Sequence, residues 1–145
     1  MKDSLICVDA SMVIRRVIFP EHASVQQVWE LWARENRSLV APSLLFYEVT
    51  NGMYRYQRQG WLSSETVAMA LSAALALPIE LVGDPDLHQR ARALAERFEL
   101  PATYDAHYLA LAERLGVELW TTDARLVSAL QPYHLEWLRL AENNL

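Results

Sequence analysis

The sequence predicts an α/β fold: a three-layer α/β/α sandwich whose central sheet is parallel and has five strands. Three observations lead there. Five short apolar runs of strand length recur along the chain, helical patterns stand between them, and 145 residues at 52% hydrophobic composition supply one sizeable core. Residues 1–145 are expected to form a single domain, because glycine and proline are few and scattered and no linker, charge block or internal repeat divides the chain.

Taken in order, SLICVD is the first strand candidate, an apolar run that stops at Asp9. EHASVQQVWELWAREN follows with helical periodicity, its Trp29 and Trp32 three residues apart, a spacing that suits core packing. RSLVAPS is the second strand, closed by proline, and SLLFYEVTNGMYRYQRQG is a helix that should stop at Gly60. Ser63 or Ser64 can cap LSSETVAMALSAALAL, which ends before Pro78 and leads into the strand LPIELVG. Asp84 can cap DPDLHQRARALAERFEL, with Pro85 and Asp86 in its first turn. TYDAHYLALAERLG is a helix that should stop at Gly116, and the strands GVELWTTD and YHLEWLRL complete the set. Helices alternating with strands in this way favour a parallel sheet covered on both faces.

The N-terminal apolar run ends at Asp9, too early for a secretory signal. VAMALSAALALPIELV is broken by Pro78 and Glu80 and falls short of the roughly 20 apolar residues that span a bilayer. Cys7 is the only cysteine and lies within the first apolar run, so no intramolecular disulfide can form and a buried thiol is expected. A cytoplasmic protein without membrane association is the expectation.

Four acids stand at or near element ends. Sites in open parallel sheets form at the carboxyl ends of strands, where the following helices leave a crevice. Asp9 ends the first strand, Asp123 ends the fourth, and Asp105 lies in the first turn of the helix before that strand. Glu48 lies in the helix after the second strand, on one face with Leu44 and Gly52. Each aspartate alone reads more readily as a helix cap or first-turn acid, worth about 1 kcal/mol, than as a site residue, and Glu48 alone can be read as a surface residue. Their joint occurrence is what points to a site.

If the four converge, repulsion decides what must accompany them. Two carboxylates about 4 Å apart repel by about 4 kcal/mol at an effective dielectric of about 20, so a cluster either raises its pKa values or binds a cation. Oxygen-only ligands suit Mg2+ or Mn2+. The formal net charge of -5 argues against a polyanionic partner, but setting the four site acids aside leaves -1, and a bound divalent ion moves the region further. Nucleic acid is thereby admitted as a substrate. The cations are 12 arginines and Lys2; Arg15, Arg16, Arg55, Arg58 and Arg125 follow the acids in sequence, and arginine is well shaped for phosphate.

With these residues in hand, the chain resembles the PIN-domain family, and within it the VapC-type toxins of bacterial and archaeal toxin-antitoxin pairs. VDASMVIRRVIFPE is similar to the family's opening motif, APSLLFYEVTNGMYRYQRQGWLS to its second, and LPATYDAHYLALAERLGVELWTTDARL to its third and fourth. The resemblance covers nearly the whole chain. It implies a twisted five-stranded parallel sheet between helices and a catalytic cluster of Asp9, Glu48, Asp105 and Asp123. It further implies Asp9 and Asp105 as direct ligands of Mg2+ or Mn2+, with Glu48 and Asp123 completing the cluster directly or through water. Ser11 matches the small hydroxyl residue after the first aspartate and Asn51 the asparagine after the glutamate, both as substrate-binding residues.

The implied reaction is metal-dependent hydrolysis of an RNA phosphodiester by water, without a side-chain nucleophile. VapC-type proteins also imply a homodimer and a small antitoxin partner whose tail covers the acidic groove, with the helices around GWLSSETVAMALSAALAL as pairing surface.

Other strand-end aspartate chemistries fit less well. A haloacid-dehalogenase-type phosphatase needs a second aspartate two residues after the first, where this chain has Ser11, and it shares with receiver domains a catalytic lysine that Lys2 does not supply. No Gly-rich phosphate loop exists, and His22, His88, His107 and His134 are dispersed in sequence without cysteine partners, which disfavours a zinc site. His107 is expected on a helix surface. The rival of another class is a PIN-fold module that binds RNA or protein without cutting.

Overall fold

The computed structural model describes residues 4–141, so Lys2 lies outside the described part. Five strands form one parallel sheet in the order β3-β2-β1-β4-β5. These are β1 (Leu5–Val8), β2 (Ser38–Pro42), β3 (Ile79–Val82), β4 (Glu118–Thr121) and β5 (Leu138–Leu140). Ile6, Cys7 and Val8 of the central strand are fully buried, which is why β1 reads as an unbroken apolar run rather than an alternating one. Burial also pushes the Cys7 thiol pKa far up, so the thiol stays protonated. The α/β class and the five-stranded parallel sheet are as the sequence predicts.

Seven helices surround the sheet: α1 (Ala10–Ile18), α2 (Ala23–Arg34), α3 (Leu45–Arg58), α4 (Ser64–Leu75), α5 (Pro85–Arg97), α6 (Tyr104–Leu115) and α7 (Ala124–Leu130). Five were legible as periodic patterns. The caps fall where expected: Ser63 accepts from the Thr66 N–H, Asp84 accepts from the Leu87 N–H, and Gly116 ends α6 in the left-handed region at φ 66°. Trp29 and Trp32 are buried, ring edge against ring, and the Trp29 indole N–H donates to the Met12 carbonyl at 3.2 Å.

Helices α1 and α7 did not stand out in the sequence. The nine residues ASMVIRRVI carry four β-branched side chains, which blurs the distinction between a short helix and a strand. What secures α1 is tertiary: Met12 and Val13 are fully buried, and Asp9 caps the first turn. With seven residues, α7 is too short for a clear period and is likewise capped by an aspartate, Asp123.

YHLEWLRL is a strand only over Leu138–Leu140. The preceding residues Gln131–Tyr133 form a 3-10 turn, and His134 takes a left-handed conformation at φ 52° that breaks extension. Among the described residues no helix is long and apolar enough to cross a membrane.

The chain order places a topological switch at the centre of the sheet. From β1 the chain moves one way through β2 to β3, then returns to the other side of β1 for β4 and β5. The helices after β1 and β4 therefore diverge and leave a crevice at the carboxyl ends of those two neighbouring strands.

Candidate metal centre

Asp9 and Asp123 stand at that crevice, one residue beyond β1 and two beyond β4. Asp9 is nearly buried, and both its oxygens are engaged. Oδ1 accepts from the Ser11 hydroxyl at 2.6 Å and the Met12 N–H at 3.2 Å, while Oδ2 accepts from the Thr121 hydroxyl at 2.5 Å. Asp123 Oδ1 accepts from the N–H groups of Arg125 and Leu126 at 3.0 and 3.2 Å. The capping reading and the site reading are thus compatible: the hydrogen bonds that start α1 and α7 also fix where the carboxylates point.

Glu48 enters from the first turn of α3 and Asp105 from the first turn of α6. Helix α6 is held to α5 by Arg114, whose guanidinium donates to Asp84 at 2.9 and 3.0 Å and to Asp86 at 3.0 Å. That pair of bonds keeps the Asp84 carboxyl down at about 2. The Tyr108 hydroxyl, one turn along α6 from Asp105, donates to Glu48 Oε1 at 2.6 Å.

All four acids line one cavity of about 390 Å³, together with Ser11, Asn51, Gly52, Arg55 and Tyr108. The structure therefore brings together every site residue singled out in the sequence. Its electrostatics are those of crowded carboxylates. Burial lifts Asp9 to about 6 in spite of its three hydrogen bonds, with a small further push from Asp105. Glu48 is raised by burial and by Asp105, partly offset by the Tyr108 bond, and Asp105 is raised by desolvation and by the Asp123 charge. Arg55 is the one cation among the residues lining the cavity, and it makes no ion pair with any of the four.

Among the described residues, no three His, Cys, Asp or Glu side chains are close enough as arranged to grip one ion together. The arginines that follow the acids in sequence divide. Arg15 donates to the Thr122 hydroxyl at 2.9 Å and lies 3.0 Å from His22 Nδ1, and Arg16 donates to Gln26, so both serve local structure. His88 and His107 are not dispersed but paired, Nδ1 to Nε2 at 2.8 Å, and His107 Nδ1 donates to the Thr103 carbonyl at 2.6 Å. His107 is accordingly half-buried rather than a plain surface residue.

Two site residues were not read from the sequence. Thr121, fully buried, donates to Asp9 and accepts from the Asp123 N–H at 3.0 Å, linking the two strand-end acids. Tyr108 had a signal that went unused, since a residue three after Asp105 shares its helix face.

A family model for the PIN domain matches residues 6–129, from β1 into α7 and across all four acids. The chain belongs to the PIN-domain family. Its PIN domain is 32% identical over 124 residues to ribonuclease VapC3 of Pyrobaculum aerophilum, covering 82% of this chain and 89% of the relative. It superposes on the crystal structure of PAE2754 from the same organism with TM-score 0.65 and 25% identity, over 89% of this chain and 81% of that one. In fold, the PIN domain also matches a toxin-antitoxin complex from Klebsiella pneumoniae, with TM-score 0.64, 20% identity and coverage of 94% and 97%. A further fold match is Mycobacterium tuberculosis VapC20, a sarcin-ricin loop cleaving toxin, with TM-score 0.62, 17% identity and coverage of 86% and 94%.

Proposed function

We propose that the chain is a Mg2+- or Mn2+-dependent endoribonuclease that acts as the toxin of a VapBC-type toxin-antitoxin pair. The observation that carries this reading is the single cavity lined by Asp9, Glu48, Asp105 and Asp123 at the switch point of the sheet. Its kinship with a VapC ribonuclease supports the substrate class.

The residues fit a hard divalent cation. The donors are carboxylate oxygens, three of the four acids have raised pKa values, and among the described residues no Lys or Arg forms an ion pair with any of the four. Mg2+ is held by one or two carboxylates and keeps several waters, so two direct ligands suffice. Asp9 and Asp105 are the direct ligands in this reading, with Glu48 and Asp123 acting directly or through water. When bound, the ion lowers the pKa of water and offsets charge developing on phosphoryl oxygens. The chain's own groups do the rest: Thr121 and Ser11 hold Asp9 in one orientation, Tyr108 fixes Glu48, and the Ser11 hydroxyl and Asn51 line the cavity where substrate enters.

The antitoxin covers this groove, and two copies of the chain pair in the cytoplasm. Exposed Met69 and Leu75 on α4 support that helix as pairing surface, and the uncharged exposed patch of Tyr47, Tyr54 and Leu81 offers a second apolar face. The reading is tested by incubating purified protein with structured and unstructured RNA plus Mg2+ or Mn2+, beside EDTA controls and Asp9→Asn. Thermal shift with the metals alone gives a readout independent of cleavage. Cation-dependent cutting that Asp9→Asn abolishes is expected; metal binding and tight RNA binding with no cutting of any RNA would establish a non-cleaving module instead.

A further inference from the structure

Helix α3 carries one stripe of side chains out of the acidic cavity. Glu48, Gly52, Arg55 and Gln59 recur at four, three and four residues and so share a face. The rise from Glu48 to Arg55 is about 10 Å at ~1.5 Å per residue, which carries the stripe about one nucleotide beyond the acids. There a second cleft of about 260 Å³ opens, lined by Ile14, Gly52, Arg55, Tyr56 and Gln59. It is continuous with the acidic cavity, since Ile14, Gly52 and Arg55 line both.

The chemistry of this cleft is that of a nucleotide rather than of apolar packing. Arg55 is exposed at the junction and its guanidinium makes no hydrogen bond or ion pair among the described residues, although four carboxylates line the same cavity. An arginine left unspent beside acids is available to an anion that the protein does not supply. Tyr56 is half-buried and held by rings on two sides, edge-on to Phe19 at 5.6 Å and tilted against Trp61 at 5.6 Å, so it presents a rigid aromatic wall. Gln59 is exposed beyond it with an amide able both to donate and to accept. Gly52 leaves room for the tip of the Ile14 side chain at the floor: a Cβ there would sit 2.6 Å from Ile14 Cδ1.

We propose that this cleft binds the RNA nucleotide adjoining the scissile phosphodiester, with Arg55 on its phosphate, Tyr56 against its base and Gln59 reading the base edge. The inference rests on the ribonuclease reading and adds to it a substrate subsite on α3. Unstacked bases of single-stranded RNA are the chemistry it fits, because stacking and edge hydrogen bonds both require an open base.

The test uses the full chain with fluorescein-labelled single-stranded RNA, measuring equilibrium binding in EDTA and steady-state cleavage with Mn2+. Arg55→Ala, Arg55→Lys and Gln59→Ala are compared with Arg92→Ala, a control on the exposed face of α5, and circular dichroism melting verifies that each variant folds. Arg55→Ala is expected to weaken binding roughly tenfold and to lower the salt dependence by about one phosphate contact, with the loss in KM and partial recovery in Arg55→Lys. Gln59→Ala is expected to change base preference at the one position beside the cut while leaving salt dependence as it was. Equal binding and KM for Arg55→Ala and Arg92→Ala would overturn the subsite, as would a loss confined to kcat. Wild-type protein that binds RNA through Arg55 but cuts none overturns the ribonuclease reading separately.

Discussion

The Tyr108 hydroxyl donates a 2.6 Å hydrogen bond to Glu48 Oε1, joining α6 to α3 at the lining of the acidic cavity. Sixty positions separate the two residues in the chain, and the bond helps hold Glu48 charged against burial and the neighbouring Asp105. Tyr108→Phe removes the donor and keeps the ring. The Glu48 pKa should rise further, so the acid limb of the activity profile should move to higher pH while the fold persists at a cost of about 1 kcal/mol. A pH profile of cleavage beside a denaturation curve separates the two effects; an unmoved acid limb would count against Glu48 as a group needed in its charged form.

Thr121 bridges the two strand-end acids, and its side chain has no water to fall back on. Thr121→Val keeps the shape but leaves Asp9 Oδ2 and the Asp123 N–H short of a partner. A loss of about 1–3 kcal/mol is expected in urea unfolding. A change below about 0.5 kcal/mol would mean that water or Ser11 replaces the hydroxyl without penalty.

Asp9 ties stability to pH with an unusual sign for an acid. Its folded pKa of about 6 lies above its ordinary value, so its contribution is fully present below about pH 4 and is lost as pH rises through 6. Without metal, Asp9→Asn should therefore be more stable than the parent above pH 6, by about 1 kcal/mol after allowing for an amide NH2 in place of an acceptor, and the difference should shrink toward pH 4. Thermal melts in EDTA from pH 4 to 8 measure it. A parent more stable than the variant at pH 8 would show that Asp9 is not the strained group.

Divalent metal should reverse that order. Binding only the folded state stabilises by about 2.7 kcal/mol at one hundred times Kd. Mg2+ or Mn2+ should raise the parent's melting temperature at pH 7.5, less at pH 5 where Asp9 is protonated, and should have little effect on Asp9→Asn or Asp105→Asn. An equal shift in parent and variants would place the ion elsewhere.

The class of the fold was legible in the sequence, and so were the four acids that line one cavity. Apolar runs and helical periods are local signals, set by which faces must be buried, and they sufficed for a parallel sheet of five strands and for five of the helices. Asp9, Glu48, Asp105 and Asp123 could be named because each sits at or near a boundary of such elements. Tertiary structure decided what local pattern does not encode. Packing and the caps of Asp9 and Asp123 secure α1, whose β-branched sequence suits strand or helix, and α7, which is too short to show a period. The end of the chain enters the sheet over only three residues because Gln131–Tyr133 turns and His134 breaks extension. Thr121 against Asp9, Tyr108 against Glu48 and His88 against His107 are meetings of distant segments, fixed by the strand order around β1 and by the packing of α3, α5 and α6. A side chain's partner is set by the path of the whole backbone, and no spacing in the sequence carries that information.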